Sequence, residues 1–581
     1  MKKASVYTLI AAVIFVYGFS VSHFNIFPFK QLQFINQELN VFYGKYINPM
    51  DEFETTQQRI ASREVEVLDS FLKRLLIKKI PVPGYTGHGG GISEAGDWLF
   101  LITNKGSVRT YNMSTIHAPD FNLPDVPMDL EALRESGHLY KNQFRHRWFR
   151  VNGVFAEKDT LSDRITLYAS HNGYNSEEDC ITHNISRLQI DSVSDSLIAQ
   201  GSWTTIFTAE PCIDPEPEYI LAAAAFPGHI SGGDMLSYSE DHLLVTVGDY
   251  NRHGIDGSSE EYAMDTNIPY GKHILVDKET GEWSMYAKGN RNPSGIHIDK
   301  EGVIWSVENG PEAGDELNII KEGKNYGWPR VSYGYWYSSE FNLPGDPVYG
   351  SHDHYDKPAF AWVPSIAPSS IIKIEGDKFA HWKGDLIVGT MRNQSLHRLR
   401  LNEENVVMYD EPIHLGHRIR DMIVLKDEKI ALLTDDGFLI FIEDGGPFFR
   451  DIPGGIEEKI SDLNRFDRFI PDSETEGEEL AVRDARTIYE QNCATCHSLG
   501  TTSEIGPHLN NLFDREVGSA DDFNYSSVLR SDNRVWTSEL LESFLKDPDD
   551  EFRGNRMLQM RLTSAETDSV IQYLKTRTRD N

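Results

Sequence analysis

The sequence predicts a multidomain chain: an all-β six-bladed β-propeller, then a small all-α domain, with an N-terminal transmembrane helix or signal segment ahead of both. Three observations carry this. Six strand-turn-strand units of similar make-up recur between residues 84 and 445, as a propeller with long inserted loops requires. Helical spacing of apolar residues takes over after about residue 480. The first 29 residues hold an uncharged, mostly apolar run.

The N-terminus reads Met1-Lys2-Lys3, then the uncharged run from Ala4 to Phe29. That run is long enough to span a bilayer, with the two lysines on the cytoplasmic side. A cleaved signal peptide is the alternative. Either reading exports the remainder, to the periplasmic side of a bacterial inner membrane or free into the periplasm. Residues 30–80 are expected to form a helical stalk, because 63–76 place apolar residues at helical spacing.

The propeller is expected over 81–445. Its recurrent units are Asp97–Thr103, Asp163–Ala169, Asp241–Val247, Gly302–Val307, Gly384–Gly389 and Asp427–Leu433. Several are followed by a turn and a second strand, as at Gly106–Tyr111 and Ser395–Leu401. A pair of β-sandwiches would not need such self-similarity. Residues 446–479 read as an acidic linker, punctuated by Gly445-Gly446-Pro447 and Pro453-Gly454-Gly455 and carrying the run Ser473–Glu479.

Charged residues at 25% and hydrophobic residues at 39% are ordinary for a globular chain; a net charge of −33 is not. It excludes nucleic acid as a partner, since the phosphate backbone would be repelled. It suits a solvated acidic surface or docking with a basic redox partner. Of four cysteines, Cys180 and Cys212 either form a disulfide, which export would permit, or stay as buried thiols.

The other two cysteines carry the strongest motif, Cys493-Ala494-Thr495-Cys496-His497 in the final domain, 480–581. On a helix, positions 493, 496 and 497 share a face, so two thiols and one imidazole converge. This is the attachment signature for haem c, one haem held covalently by Cys493 and Cys496 with His497 on the iron. No second close Cys/His pair completes a zinc site. Around it lie Gly506-Pro507-His508-Leu509, Gly554-Asn555-Arg556-Met557, Trp536, and a last helix opened by the capping box Thr563-Ser-Ala-Glu566. Over about the last hundred residues this order resembles class I cytochrome c. The resemblance implies that Met557 is the second iron ligand, with Met560 as the rival, and that the Pro507 carbonyl accepts a hydrogen bond from His497. Such ligation raises the potential and leaves no open site, so the haem carries electrons. His508 is then a bystander.

In the propeller, Gly289–Gly295, Glu308–Asn318 and Lys324–Pro329 form the most informative block. Four acids, Glu308, Glu312, Asp315 and Glu316, fall within nine residues, the oxygen-rich chemistry that a hard cation wants. Alone, the block reads equally as a polar loop. With Pro227–Gly233, Val247-Gly-Asp249, Pro364–Ser370, Gly389–Arg392 and His417–Asp421 it resembles, over about 80–450, the soluble quinoprotein glucose dehydrogenase and aldose sugar dehydrogenase family. The resemblance implies pyrroloquinoline quinone (PQQ) and calcium as cofactors. It implies that His229 is the general base, with Asp249 orienting it. It implies that Arg291 and Asn292 contact the quinone, and that Ser365, Arg392, Arg418 and Arg420 surround the PQQ carboxylates. Gly310 and Pro311 would give carbonyls to the calcium at PQQ, and Glu316 and Tyr326 would help a second, structural calcium.

The chemistry asks for the same groups. A tricarboxylate needs cationic forks, and Arg418 and Arg420 share one face of a strand. A base near neutral pKa suits removal of a hydroxyl proton as hydride leaves carbon. Three positions depart from the glucose-oxidising pattern. Gly228 stands where an acid is usual, Arg392 replaces a lysine, and Val363 stands at an aromatic position beside Trp362. The expected function is oxidation of a sugar hydroxyl by PQQ, with electrons passing singly to haem c and on to a respiratory acceptor. The rivals are a calcium-dependent, lactonase-like hydrolase tethered to a cytochrome, and a non-catalytic propeller that docks one.

Overall fold

The computed structural model describes residues 65–577 apart from short internal stretches, the longest being 139–145, 216–227, 335–351 and 471–484. The expected anchor at 1–29 and the stalk up to 64 lie outside the described residues. Among the described residues no helix is long and apolar enough to cross a membrane.

Six antiparallel sheets make six blades. Their inner strands are Gly90–Ala95, Val151–Lys158, Gly232–Ser237, Pro293–Ile298, Pro368–Lys373 and Ile419–Val424. Each packs against the next, and the sixth against the first, which closes the ring. The six recurrent sequence units are the second strands: Trp98–Thr103, Arg164–Asn175, His242–Val247, Ile304–Glu308, Leu386–Thr390 and Ile430–Thr434. Neighbouring blades cover a second strand on both faces. It therefore reads as a continuous apolar run rather than an alternating one; Trp98–Thr103, Leu386–Thr390 and Ile430–Thr434 are buried throughout.

Blades touch backbone to backbone near the axis. A Cβ on Gly153 would fall 2.2 Å from the Gly233 carbonyl oxygen, and one on Gly233 (φ +112) 2.3 Å from Asn152 Cβ. The second glycine of Ser231-Gly232-Gly233 is thus a steric requirement. Carboxylates do similar work elsewhere. Asp234 accepts the Met235 amide and the Ile296 amide of blade 4, and Asp421 accepts the Met422 amide and the Ile92 amide of blade 1.

Two expectations are corrected. The segment 63–76, read as helix, forms strands Glu66–Asp69 and Lys73–Pro81. Lys73–Pro81 pairs with Phe438–Pro447 and completes blade 6, so the propeller begins here and not at 81. The helical reading fails because both faces are buried. Leu75 and Ile77 join one apolar cluster and Leu76 and Ile80 another, so the apolar residues fit either period. The buried Lys73 and Lys78 pair with Asp444 (2.5 Å) and Asp467 (2.6 Å). The expected linker also shrinks. Helix Gly455–Asn464 and the turn Arg465–Phe469 pack onto blade 6, with Phe466 stacked on Phe441 at 4.0 Å and Phe469 edge-on to Tyr111. The rest of it, 448–454 and 471–479, lies outside the described residues.

The final domain is helical as expected. Helices Ala485–Asn492, Ser538–Lys546 and Ser564–Arg577 enclose a separate core that includes Ile488, Leu541, Phe544, Val570 and Leu574. The first and last meet at Tyr489 and Tyr573, ring centroids 5.6 Å apart.

Candidate active site

The start of each inner strand lies beside the end of its second strand, so these positions in all six blades share one mouth of the ring. His88 precedes the inner strand of blade 1, Arg150 that of blade 2, His229 that of blade 3, Arg291 and Asn292 that of blade 4, and Ser365 that of blade 5; Arg418 and Arg420 flank the start of blade 6. Asp249, Gly310, Arg392 and Asp435 follow the second strands of blades 3 to 6. Residues spread over more than 300 positions are brought together by topology alone.

One side of the mouth is cationic. Asp435, 1% exposed, accepts Arg418 Nε (3.1 Å), Arg420 Nε and Nη2 (both 2.8 Å) and the His88 amide (2.9 Å). Burial works to raise its pKa, but Arg420, His88 and Arg418 overrule it and hold the carboxyl far below the usual range. Burial, against the pull of Asp435 and with the repulsion of Arg147, Arg418 and Arg420, holds the His88 pKa well below the usual imidazole value. Arg418 Nη2 and Arg420 Nη1 make no hydrogen bond among the described residues. Arg392 makes no side-chain hydrogen bond or ion pair there, and its Nε is buried. Among the described residues the Arg291 guanidinium donates only to carbonyls, Asn309 at 3.2 Å and Gly310 at 2.8 Å, and lies 5.6 Å from the Trp328 ring centre.

His229 sits in a short 3-10 turn, Gly228–Ile230, with its ring centroid 4.1 Å from that of Trp148. Asn292 brackets this turn, donating to the His229 carbonyl (3.4 Å) and accepting the Gly232 amide (3.0 Å). Asp249 is fully buried, accepting Trp328 Nε1 at 2.6 Å and the Asn251 amide at 2.9 Å. Ser365 donates its hydroxyl to Asp315 (2.7 Å), which also accepts the Ile366, Ala367 and Gly310 amides. Ser365 is therefore a brace between two loops of the mouth.

A pocket beside Arg291 is lined by Glu308, Gly310, Glu316, Tyr326 and Ser332. Glu308 and Glu316 are cross-strand partners, both buried, and share Asn318 as a donor. Burial raises both carboxyls, Glu308 to about 7, and the Glu308 charge raises Glu316 further. Two buried neighbouring carboxylates with carbonyls at hand suit a hard divalent cation, whose charge would offset their repulsion. Tyr326 could serve only through its backbone carbonyl, because its hydroxyl donates to the Ile319 carbonyl (2.6 Å) and accepts the Lys321 amide.

In the final domain His497 Nδ1 lies 2.7 Å from the Pro507 carbonyl oxygen, the predicted bond. A carbonyl can only accept, so Nδ1 carries the proton and Nε2 is left with its lone pair for a metal. The ring lies on Gly506, where a Cβ would fall 2.5 Å from His497 Cε1. Tyr489 donates to the His497 carbonyl (2.7 Å). Cys493 is buried in the same core against which Met557 packs; Cys496 and Met560 lie outside the described residues. His508 accepts from Arg515 Nη1 (3.2 Å).

Sequence reasoning missed His88, Trp148, Arg150 and Asp435. Each is a single residue in an undistinguished turn, and only its place at a strand start or end marks it.

Residues 166–441 match the family model described as Glucose / Sorbosone dehydrogenase, and residues 482–578 match that of Cytochrome c. Among curated relatives, an aldose sugar dehydrogenase of Escherichia coli is 29% identical over 226 residues, covering 36% of this chain and 58% of that one. Quinoprotein glucose dehydrogenase B of Acinetobacter calcoaceticus is 26% identical over 213 residues, 28% of this chain and 45% of that one. A cytochrome c2 of Afifella marina is 38% identical over 101 residues, 16% of this chain and 81% of that one. The chain thus spans about half the length of the dehydrogenases it matches and most of the cytochrome.

Proposed function

Since the chain belongs to the glucose/sorbosone dehydrogenase family through its propeller and to the cytochrome c family through its last domain, we propose that it oxidises a sugar hydroxyl with PQQ and passes the electrons singly through haem c to a respiratory acceptor. One observation carries the PQQ reading. In a chain of net charge −33, five arginines line one mouth, and among the described residues only Arg418 and Arg420 are ion-paired there, both with Asp435; Arg150, Arg291 and Arg392 make no ion pair. Such a surplus fits a ligand that brings its own carboxylates, and neither a hydrolase nor a docking module needs it.

Arg392, Arg418 and Arg420 would hold the ligand carboxylates, and Arg291 would lie against its ring. Gly310 and Pro311 carbonyls, with Glu308 and Glu316 near, would hold calcium. When bound, PQQ supplies the hydride acceptor, calcium polarises it, and haem c supplies a one-electron carrier. The chain's own residues do the rest. His229 takes the proton of the sugar hydroxyl, most naturally the anomeric one, and Trp148 fixes its ring. Asn292 holds the His229 turn from both sides, and Asp249 secures the floor beneath through Trp328. His497 would present Nε2 to a haem iron, and Met557 would supply its second protein ligand.

The Cys180–Cys212 disulfide and the haem attachment motif both support an exported protein. The N-terminal run Ala4–Phe29 supports an anchor or a signal segment, and the acidic surface a basic electron acceptor.

The experiment supplies calcium and PQQ to the haem-loaded chain, adds a panel of aldoses and follows haem absorbance. Sugar-dependent reduction is expected, abolished in His229→Ala and with dithionite reduction intact. If dithionite reduces the haem and no sugar does, the dehydrogenase reading falls.

A further inference from the structure

We propose that Arg150, on the blade 2 side of the mouth, is a binding residue for a ligand carboxylate; this rests on the PQQ reading above. Arg150 is 9% exposed. Its Nη1 donates to the His88 carbonyl (2.7 Å) and its Nε to Asn152 Oδ1 (3.2 Å), both neutral acceptors. Its Nη2 makes no hydrogen bond, and no carboxylate lies within ion-pair distance among the described residues.

The carboxylate whose charge acts on it is Asp435, already held by Arg420 Nε and Nη2, Arg418 and the His88 amide. Taking a guanidinium out of water without a counter-charge is costly, and the chain has acids to spare, 89 against 56 basic residues. Burial, and then the like charge of Arg420, pull Arg150 down to about 9. The charge of Asp435 offsets part of that cost, and among the described residues no carboxylate forms an ion pair with Arg150.

Position makes the arriving group's identity specific. Arg150 opens the inner strand of blade 2 as Arg418 and Arg420 open that of blade 6, with His88 of blade 1 between them. A planar fork with one unsatisfied Nη–H matches a carboxylate edge. Arg150 thus extends the cationic wall around the axis, toward the side where Trp148 meets His229.

The test compares the haem-loaded parent with Arg150→Met and Arg150→Lys. Calorimetry measures PQQ affinity in calcium buffer, and the melting temperature of the propeller is read without PQQ. Losing one charged hydrogen bond to a carboxylate should weaken PQQ binding by about 10- to 100-fold in Arg150→Met. Arg150→Lys should recover part of it. Without PQQ, Arg150→Met should melt at or above the parent temperature, because an uncompensated buried cation has gone. Unchanged affinity in Arg150→Met overturns the assignment while leaving the PQQ reading standing. So does a lower melting temperature without PQQ, which would make Arg150 a brace for His88 and Asn152. If the parent itself binds no PQQ, the functional reading falls and this one with it.

Discussion

Asp435→Asn isolates the electrostatic keystone of the mouth. The native carboxylate accepts four hydrogen bonds, three of them from guanidinium nitrogens of two part-buried arginines. Asparagine keeps one acceptor and points an amide donor at the rest, leaving two cations uncompensated. Removing one partner of a buried ion pair costs about 3–5 kcal/mol, and that loss is expected here at neutral pH. The pH dependence follows from the depressed pKa. A carboxyl held far below its unfolded value of about 3.8 stabilises the fold at all pH above that value, and the contribution fades only as pH falls below it. The parent propeller should therefore lose stability in acid more steeply than the variant, and the two should converge. Denaturant unfolding read by far-ultraviolet circular dichroism of the propeller, at pH 7 and at successively lower pH, provides the measurement. A loss under about 1 kcal/mol at pH 7, or parallel acid limbs, would refute the reasoning. PQQ should narrow the difference, since its carboxylates would take over from Asp435.

Two further substitutions probe the two reaction partners separately. Trp148→Ala removes the ring lying 4.1 Å from that of His229. An aromatic contact of about 0.5–1.5 kcal/mol predicts a roughly two- to thirteenfold lower kcat/KM for sugar-driven haem reduction, with Trp148→Phe near the parent. An unchanged kcat/KM in the alanine variant would detach Trp148 from the base. Gly506→Ala places a methyl 2.5 Å from His497 Cε1, so the imidazole must shift and its bond to Pro507 must lengthen. The haem domain should lose about 1–3 kcal/mol, seen as a lower melting temperature and a displaced reduction potential; a parent-like melt and potential would contradict this packing.

What was legible in the sequence was whatever a local pattern could carry. The second strands stood out because burial on both faces leaves them uniformly apolar. The His497–Pro507 bond was foreseeable because both residues belong to motifs in a fixed order. Lys73–Pro81 misled for the same physical reason that made the second strands visible: buried on both faces, it lacks the alternation that would have separated strand from helix. The tight packing of Phe466 and Phe469 under blade 6 was hidden by the charges around them, which suggested a solvated linker. In the mouth, residues within motifs were found and solitary ones were not. The pairing of Asp435 with arginines 15 and 17 positions earlier is set by antiparallel register, and Arg150 meets His88 only when blades 1 and 2 pack. No composition or spacing rule reports such meetings.

The strand that completes blade 6 has a consequence for how the molecule comes into being. Lys73–Pro81 is among the first of the propeller's strands to be synthesised, after only Glu66–Asp69 in the described residues, yet its partner Phe438–Pro447 is the last strand made, and Lys73 waits for Asp444 across 371 positions. Until then Leu75, Leu76, Ile77 and Ile80 form an apolar ribbon with an unpaired edge, the kind of segment that invites wrong pairing. Ring closure is thus a single late event of very high sequence separation, slow by the general relation between topology and folding rate. Fragments lacking either end would leave an open ring with two raw edges. Lesions in this latch should show first in the yield of assembled protein, before any effect on the chemistry of the mouth.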